Sequence, residues 1–190
     1  MTFEHHEQSG QLMYHEAELC SSLELTIDVT PKIHSPSEAI YGCIEFLESH
    51  RVDNESIQSF RLALSEALAN ALEHGIMRLP SSIKDDLFAP RHREGECVKS
   101  GQIILKLRLL HEDGDCKSIK AIGVEVADTG QGFDWKAYLQ DISMPAPEKN
   151  YGRGLALIKM AATHLSFNEA GNTIRFIMPC RTESGPSSSG

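Results

Sequence analysis

Three short segments of this chain carry residues whose types and spacing suit chemistry on a charged ligand. The first is Glu66-Ala67-Leu68-Ala69-Asn70-Ala71-Leu72-Glu73-His74-Gly75. In a helix, offsets of four, seven and eight residues put Glu66, Asn70, Glu73 and His74 on one side, away from Leu64 and Leu68. A carboxylate and an amide oxygen one turn apart suit a hard cation such as magnesium. The amide oxygen ligates it, and the carboxylate holds a water or accepts a proton. The same pattern is also the wet face of an ordinary amphipathic helix. The second segment, Asp128-Thr129-Gly130-Gln131-Gly132, follows a strand-like run. An aspartate there can accept a hydrogen bond from an exocyclic amine, and the glycines let backbone approach a flat ring. A plain turn after a strand has the same D-x-G look. The third, Tyr151-Gly152-Arg153-Gly154-Leu155, opens a helical pattern whose free N–H groups and positive dipole end favour a phosphate. Arg153 reads either as a phosphate contact or as a surface arginine. The chain has no G-x-x-x-x-G-K-[ST] loop and no G-x-G-x-x-G fingerprint after a strand.

The elements that must position these segments are legible from periodicity. Leu23-Glu24-Leu25-Thr26-Ile27-Asp28-Val29 alternates with the period of a half-buried strand. Ser35-Pro36-Ser37-Glu38 is a helix start, with an N-cap serine, proline at the first helical position and a capping-box glutamate. Ile40, Cys43, Ile44 and Leu47 then give one buried face, and the helix stops near His50. Asp53 or Asn54 caps a longer second helix with the stripe Ile57, Phe60, Leu64, Leu68 and Ala71, and Gly75 is placed to end it. Residues 77–101 form a polar connection that is long for a compact domain. Two strands follow, through Ile103, Leu105, Leu107 and Leu109 and then, after the Asp113-Gly114 turn signal, through Ile122, Val124 and Val126. A helical pattern runs from Gly154 through Leu155, Ile158 and Ala162. A last hairpin turns at Gly171-Asn172 and returns through Ile174, Phe176 and Met178. The order of strand, two helices, two strands, helix and two strands predicts an α/β two-layer sandwich, a mainly antiparallel sheet with helices on one face.

Composition narrows the class. At 190 residues, with 41% hydrophobic and 24% charged content, the chain has room for one packed core. No apolar run approaches the roughly 18 residues needed to span a bilayer, and the start lacks the features of a signal peptide, so no membrane role is expected. A formal net charge of −9 argues against a nucleic-acid binder that works by neutralising phosphates. Cys20, Cys43, Cys97, Cys116 and Cys180 are odd in number and form no C-x-x-C pair, which fits thiols in a reducing, cytoplasmic setting. Residues 1–21, with His5, His6 and His15 among acids, read as a solvated arm. Residues 22–182 read as the domain, and residues 183–190 have the low-complexity look of an expression tag.

Taken together and in this order, the three segments resemble the GHKL superfamily of ATPases and kinases. The E-A-L-A-N-A-L-E-H-G stretch resembles its N-box, D-T-G-Q-G-F its G1 box and G-R-G-L-A-L-I its G2 box, with Gly171-Asn172-Thr173 near its final Gly-Thr element. The N-A-x-x-H-G and G-R-G-L-x-L-I forms look most like the anti-sigma-factor serine kinases of the RsbW type. The resemblance implies a Bergerat-type ATP-binding fold that uses ATP and Mg2+. It implies Glu66 as the general base or water-positioning carboxylate and Asn70 as the magnesium ligand. Asp128 would bind the adenine amine, with Gly130 and Gly132 shaping its pocket. Gly152, Arg153 and Gly154 would meet the phosphates beneath a lid over residues 141–151, and Thr173 would lie behind the adenine. The long 77–101 connection and the asparagine at 172 depart from the family pattern.

Two classes of function follow. In one, the domain is a serine/threonine protein kinase that phosphorylates a small anti-sigma-factor antagonist, with a sigma factor as second partner and a homodimer also implied by the resemblance. In the other, it is a nucleotide-dependent binding module with little turnover, or the ATPase half of a histidine kinase.

Overall fold

The computed structural model describes residues 22–29, 36–76, 101–112, 115–136 and 153–183. Alternating apolar residues make the strands and 3.6-residue stripes make the helices, in the expected order. They are β1 (Ser22–Val29), α1 (Pro36–Ser49), α2 (Asn54–Asn70), a π-helical turn (Ala71–Ile76), β2 (Gly101–Glu112), β3 (Asp115–Asp128), α3 (Arg153–Ala161), β4 (His164–Phe167) and β5 (Thr173–Pro179). The five strands form one sheet in the order β1-β2-β3-β5-β4, each neighbour antiparallel. The two-layer sandwich expected from the sequence is the observed architecture.

The buried faces of β2, β3, β5 and the three α-helices match their periods. Ile103, Leu105, Leu107 and Leu109 of β2, Ile122, Val124 and Val126 of β3, and Ile174, Phe176 and Met178 of β5 turn inward. They meet Cys43 and Leu47 of α1, Phe60, Leu64 and Leu68 of α2, and Leu155 and Ile158 of α3 in a single core. Burying side chains of this size contributes about 1.5–3 kcal/mol each relative to exposure. On the opposite face Arg175 Nε donates to Glu125 Oε2 at 2.6 Å, a directly opposed pair across β5 and β3. Cys43 and Cys180 are buried free thiols, and burial pushes each up to about 12, so both stay protonated and unreactive.

Helix α2 starts where the sequence placed it. Asp53 is the cap: its Oδ1 accepts from Ser56 N–H at 2.9 Å and its Oδ2 from the Ser56 hydroxyl at 2.7 Å. The C-terminal strap holds this end of the helix, since Asp53 N–H donates to Arg181 O and Val52 bridges Thr182. The far end differs from expectation. The α-helix stops at Asn70, and Ala71–Ile76 continue with the wider i→i+5 winding of a π-helix. That winding breaks the extrapolated helical face: Glu73, expected on the wet side with Glu66 and Asn70, is buried.

Gly101 belongs to β2, so the connecting segment is shorter than expected by that residue. An added Cβ at Gly101 would stand 3.0 Å from Ile76 and 2.8 Å from Thr129 Oγ1. The chain therefore leaves and rejoins the domain at nearly one point. An excursion between adjacent ends adds little closure cost beyond that of a shorter loop, because the cost grows only logarithmically with length. Residues 77–100, the turn expected at 113–114, the lid expected over 141–151, Ser35, Gly152, the arm expected over 1–21 and residues 184–190 lie outside the described residues.

Candidate functional site

Glu66 and Asn70 sit one turn apart near the end of α2, both half-buried. Helix α3 packs against α2 with its amino end at Glu66. A Cβ at Gly154 would strike Glu66 Oε2, so with the carboxylate in this rotamer the glycine lets the helix terminus come this close. The first residue of α3 is Arg153. The arrangement sets an acid and an amide beside the positive end of a helix, where unsatisfied N–H groups favour an anion.

Nine residues on, the π turn brings Gly75 against the end of β3. A Cβ at Gly75 would overlap the Asp128 carboxylate, and one at Gly130 would overlap Gly75 O and lie 2.6 Å from Asp128 Oδ1. Asp128 is thus walled by two residues without side chains. Its Oδ1 accepts from Gly130 N–H at 2.7 Å, and Oδ2 is the oxygen that this bond leaves unengaged. Burial raises the Asp128 pKa above its ordinary 3.8, and the Gly130 N–H pulls against that rise. A ligand amine needs the ionised form as its acceptor. Affinity for such a ligand is therefore expected to weaken as the pH falls through this raised pKa, beginning above the range of an exposed aspartate. A pH series of equilibrium titrations checks this, and no change down to pH 4 would contradict it.

The following loop is locked onto the β4–β5 turn. Gly132 (φ 76°) and Gly171 (φ 78°) both occupy the left-handed region. Gly132 presses on Ala170 O, and Gly171 presses on the Phe133 backbone. Phe167 joins the two segments from its side chain: Phe133 meets it edge-on at 5.8 Å and Trp135 stacks on it at 5.5 Å. Thr173, buried, opens β5 opposite Ala127, directly behind Asp128. On the other flank, Thr129 N–H donates to Gln102 O and Thr129 Oγ1 accepts from Gln102 N–H, each at 3.1 Å.

The structure therefore joins the three segments by two contacts, Glu66 with Gly154 at one end and Gly75 with Asp128 and Gly130 at the other, with Asn70 on the helix between them. Along the helix axis Glu66 and Asn70 are about 6 Å apart, from a rise of about 1.5 Å per residue, and the π turn carries the chain on to Gly75. Two separate ends suit an elongated ligand with an amine-bearing ring at one end and anionic groups at the other. Gly132 stands apart from Asp128, held in the turn contact with Ala170. Gly75 reads from the sequence as a helix end and lies here against the Asp128 carboxylate. Asn168, which the sequence left without a role, and Asn172, read there only as part of the turn, hold the turn together.

The chemistry of the donors fits a nucleotide and a hard cation. At Gly75, Gly130 and Gly154 an added Cβ would meet Asp128, Gly75 O and Glu66 respectively, so the missing side chains let these segments pack together. Among the described residues no group of three or more His, Cys, Asp or Glu side chains could hold a metal ion by itself. An ion at Asn70 and Glu66 would need the ligand's own oxygens, as magnesium sites commonly do. Among the described residues no helix is long and apolar enough to cross a membrane.

The family model for the histidine kinase-like ATPase domain matches residues 37–178, which include the described parts of all three segments and both helical walls. The chain belongs to that family, and so to the GHKL-type ATP-binding domains. No curated protein matches it.

Proposed function

We propose that this domain is a cytoplasmic serine/threonine protein kinase of the anti-sigma type, which moves the ATP γ-phosphate to a serine of a small antagonist protein. The observation that carries the reading is Glu66 packed on Gly154 at the amino end of α3. A domain that only holds nucleotide needs no proton acceptor beside that helix end, although a carboxylate could also help hold the metal's water. A phosphotransferase needs one to take the proton from the attacking hydroxyl.

In this reading Asp128 accepts the adenine amine through Oδ2, and Gly130 and Gly75 let the carboxylate take the position it needs. Gly132 shapes the loop, and Thr173 backs the ring. Gly152, Arg153 and Gly154 meet the phosphates. Asn70 holds Mg2+, which when bound offsets phosphate charge. Glu66 orients and deprotonates the serine hydroxyl. The partners are the antagonist, a sigma factor and a second copy of the chain, as the resemblance to RsbW-type kinases implies.

Incubation with γ-labelled ATP, magnesium and candidate antagonist proteins tests the assignment. Label on a serine of the antagonist supports it. Release of inorganic phosphate alone would make the domain an ATPase, and tight ATP binding without turnover would make it a nucleotide-dependent binding module.

A further inference from the structure

We propose that Asn168 and Asn172 form a positioning relay that sets the Asp128–Gly130 loop for adenine, so that adenine selectivity depends on a side-chain pair that does not touch the ligand. The inference rests on the nucleotide reading above and deepens it.

The relay begins in the β4–β5 turn. Asn168 Oδ1 accepts three backbone N–H groups, from Gly171 at 2.8 Å, Asn172 at 3.1 Å and Thr173 at 3.2 Å. Only an oxygen can accept there, so the amide orientation of Asn168 is fixed by its partners. Its Nδ2 must then face outward, and it donates to Asn172 Oδ1 at 2.7 Å. That bond fixes the second amide in turn. Asn172 Nδ2 is left to donate to Gly130 O at 3.0 Å. Each orientation follows from the one before it, and reversing either amide would set like groups against each other.

The consequence falls on Gly130. Its C=O is held by Asn172 and its N–H by Asp128 Oδ1, so both peptide planes that flank this glycine are tied. A glycine without those ties has more backbone freedom than any other residue. The rotation of the Asp128 carboxylate depends on the Gly130 N–H, and the backbone bond from Asp128 N–H to Asn172 O at 2.9 Å anchors the same strand end. The relay therefore acts through the base-binding acceptor and leaves the Glu66 and Gly154 end of the site alone.

Two variants separate this from a merely structural role. Asn172→Asp can still accept from Asn168, but it loses the donor to Gly130 O and turns a carboxylate on that carbonyl. Asn168→Asp keeps the acceptor for all three turn N–H groups and loses only the donor that orients Asn172. The readout is equilibrium binding of ATP, GTP and inorganic tripolyphosphate, each with magnesium, alongside Tm.

Asn172→Asp is expected to weaken ATP by about tenfold or more, the worth of one well-placed hydrogen bond, and to erode the preference for ATP over GTP. Tripolyphosphate affinity stays within about twofold and Tm within about 2 °C if only the loop is released. Asn168→Asp shows the same pattern, more weakly. Equal losses for all three ligands, or unchanged ATP affinity in both variants, would overturn the relay. If Asn172→Asp unfolds, Asn168→Asp decides by the same criteria. A wild-type protein that binds no ATP would remove the nucleotide reading itself and the relay with it, a result distinct from wild-type binding that the variants leave untouched.

Discussion

Replacing Glu66 by glutamine is expected to leave ATP binding nearly intact and to cut phosphotransfer by about a hundredfold to ten-thousandfold, the usual worth of a positioned general base. Glutamine keeps the volume of the side chain that packs on Gly154, so the junction of α2 and α3 should hold. What it loses is the ability to take a proton. The effect should therefore appear in kcat, with KM for ATP little changed, because a group that acts only in the transition state contributes little to ground-state binding. The check is a steady-state assay of phosphoserine formation on the antagonist, with calorimetry for ATP on the same preparation. A variant that transfers phosphate at the wild-type rate removes Glu66 from the chemistry. A variant that loses ATP binding outright shows instead that the carboxylate helps hold the ligand.

The second large effect is expected at Gly75. A single methyl group there falls inside the van der Waals envelope of the Asp128 carboxylate, and backbone on the other side, at Gly130, leaves no room to retreat. Overpacking of this kind costs about 1–3 kcal/mol in stability. Its larger cost is functional: Asp128 must swing away from the position in which Gly130 N–H holds Oδ1. Gly75→Ala should thus weaken ATP by about a hundredfold, which corresponds to roughly 2.7 kcal/mol. Gly123→Ala is the control. Its Cβ would meet Leu110 at an ordinary 3.6 Å, so ATP affinity should not move. Titration of both variants by calorimetry checks the pair, and near-wild-type affinity in Gly75→Ala would show that Asp128 is not the ligand's acceptor.

Both effects were only partly legible in the residues. Strand and helix assignments follow from apolar periods that report directly on burial, so β2, β3 and β5 and the stripe of α2 could be read from Ile103 to Leu109 or from Ile57 to Leu68. The same logic failed at Ala71–Ile76. A π turn is a change of backbone winding that leaves no compositional mark, and extrapolating the α period put Glu73 on the wet face when it is buried. Gly75 was visible as a glycine near a helix end. That its missing side chain makes way for Asp128, 53 positions later in the sequence, depends on a tertiary contact that local pattern cannot show. Asn172 looked like a departure from a Gly-Thr element. Its role emerges only once the β4–β5 turn and the Asp128 loop are seen back to back.

The site thus has two unequal ends. The Glu66 end is set by the packing of α3 on α2. The Asp128 end is set by a loop whose geometry depends on two glycines and two asparagine amides. Affinity for the base should therefore be the property most easily altered by substitution outside the pocket, while the phosphate end should tolerate changes in the β4–β5 turn.

The central claim is that Asp128 and its glycine walls form the base-recognising end of an ATP pocket. Calorimetric titration of the wild-type protein and of Asp128→Ala with magnesium and ATP tests it most directly. One ATP per chain bound by the wild type, with binding lost in Asp128→Ala while Tm is maintained, is the predicted result. Equal ATP affinity in the two proteins would contradict it.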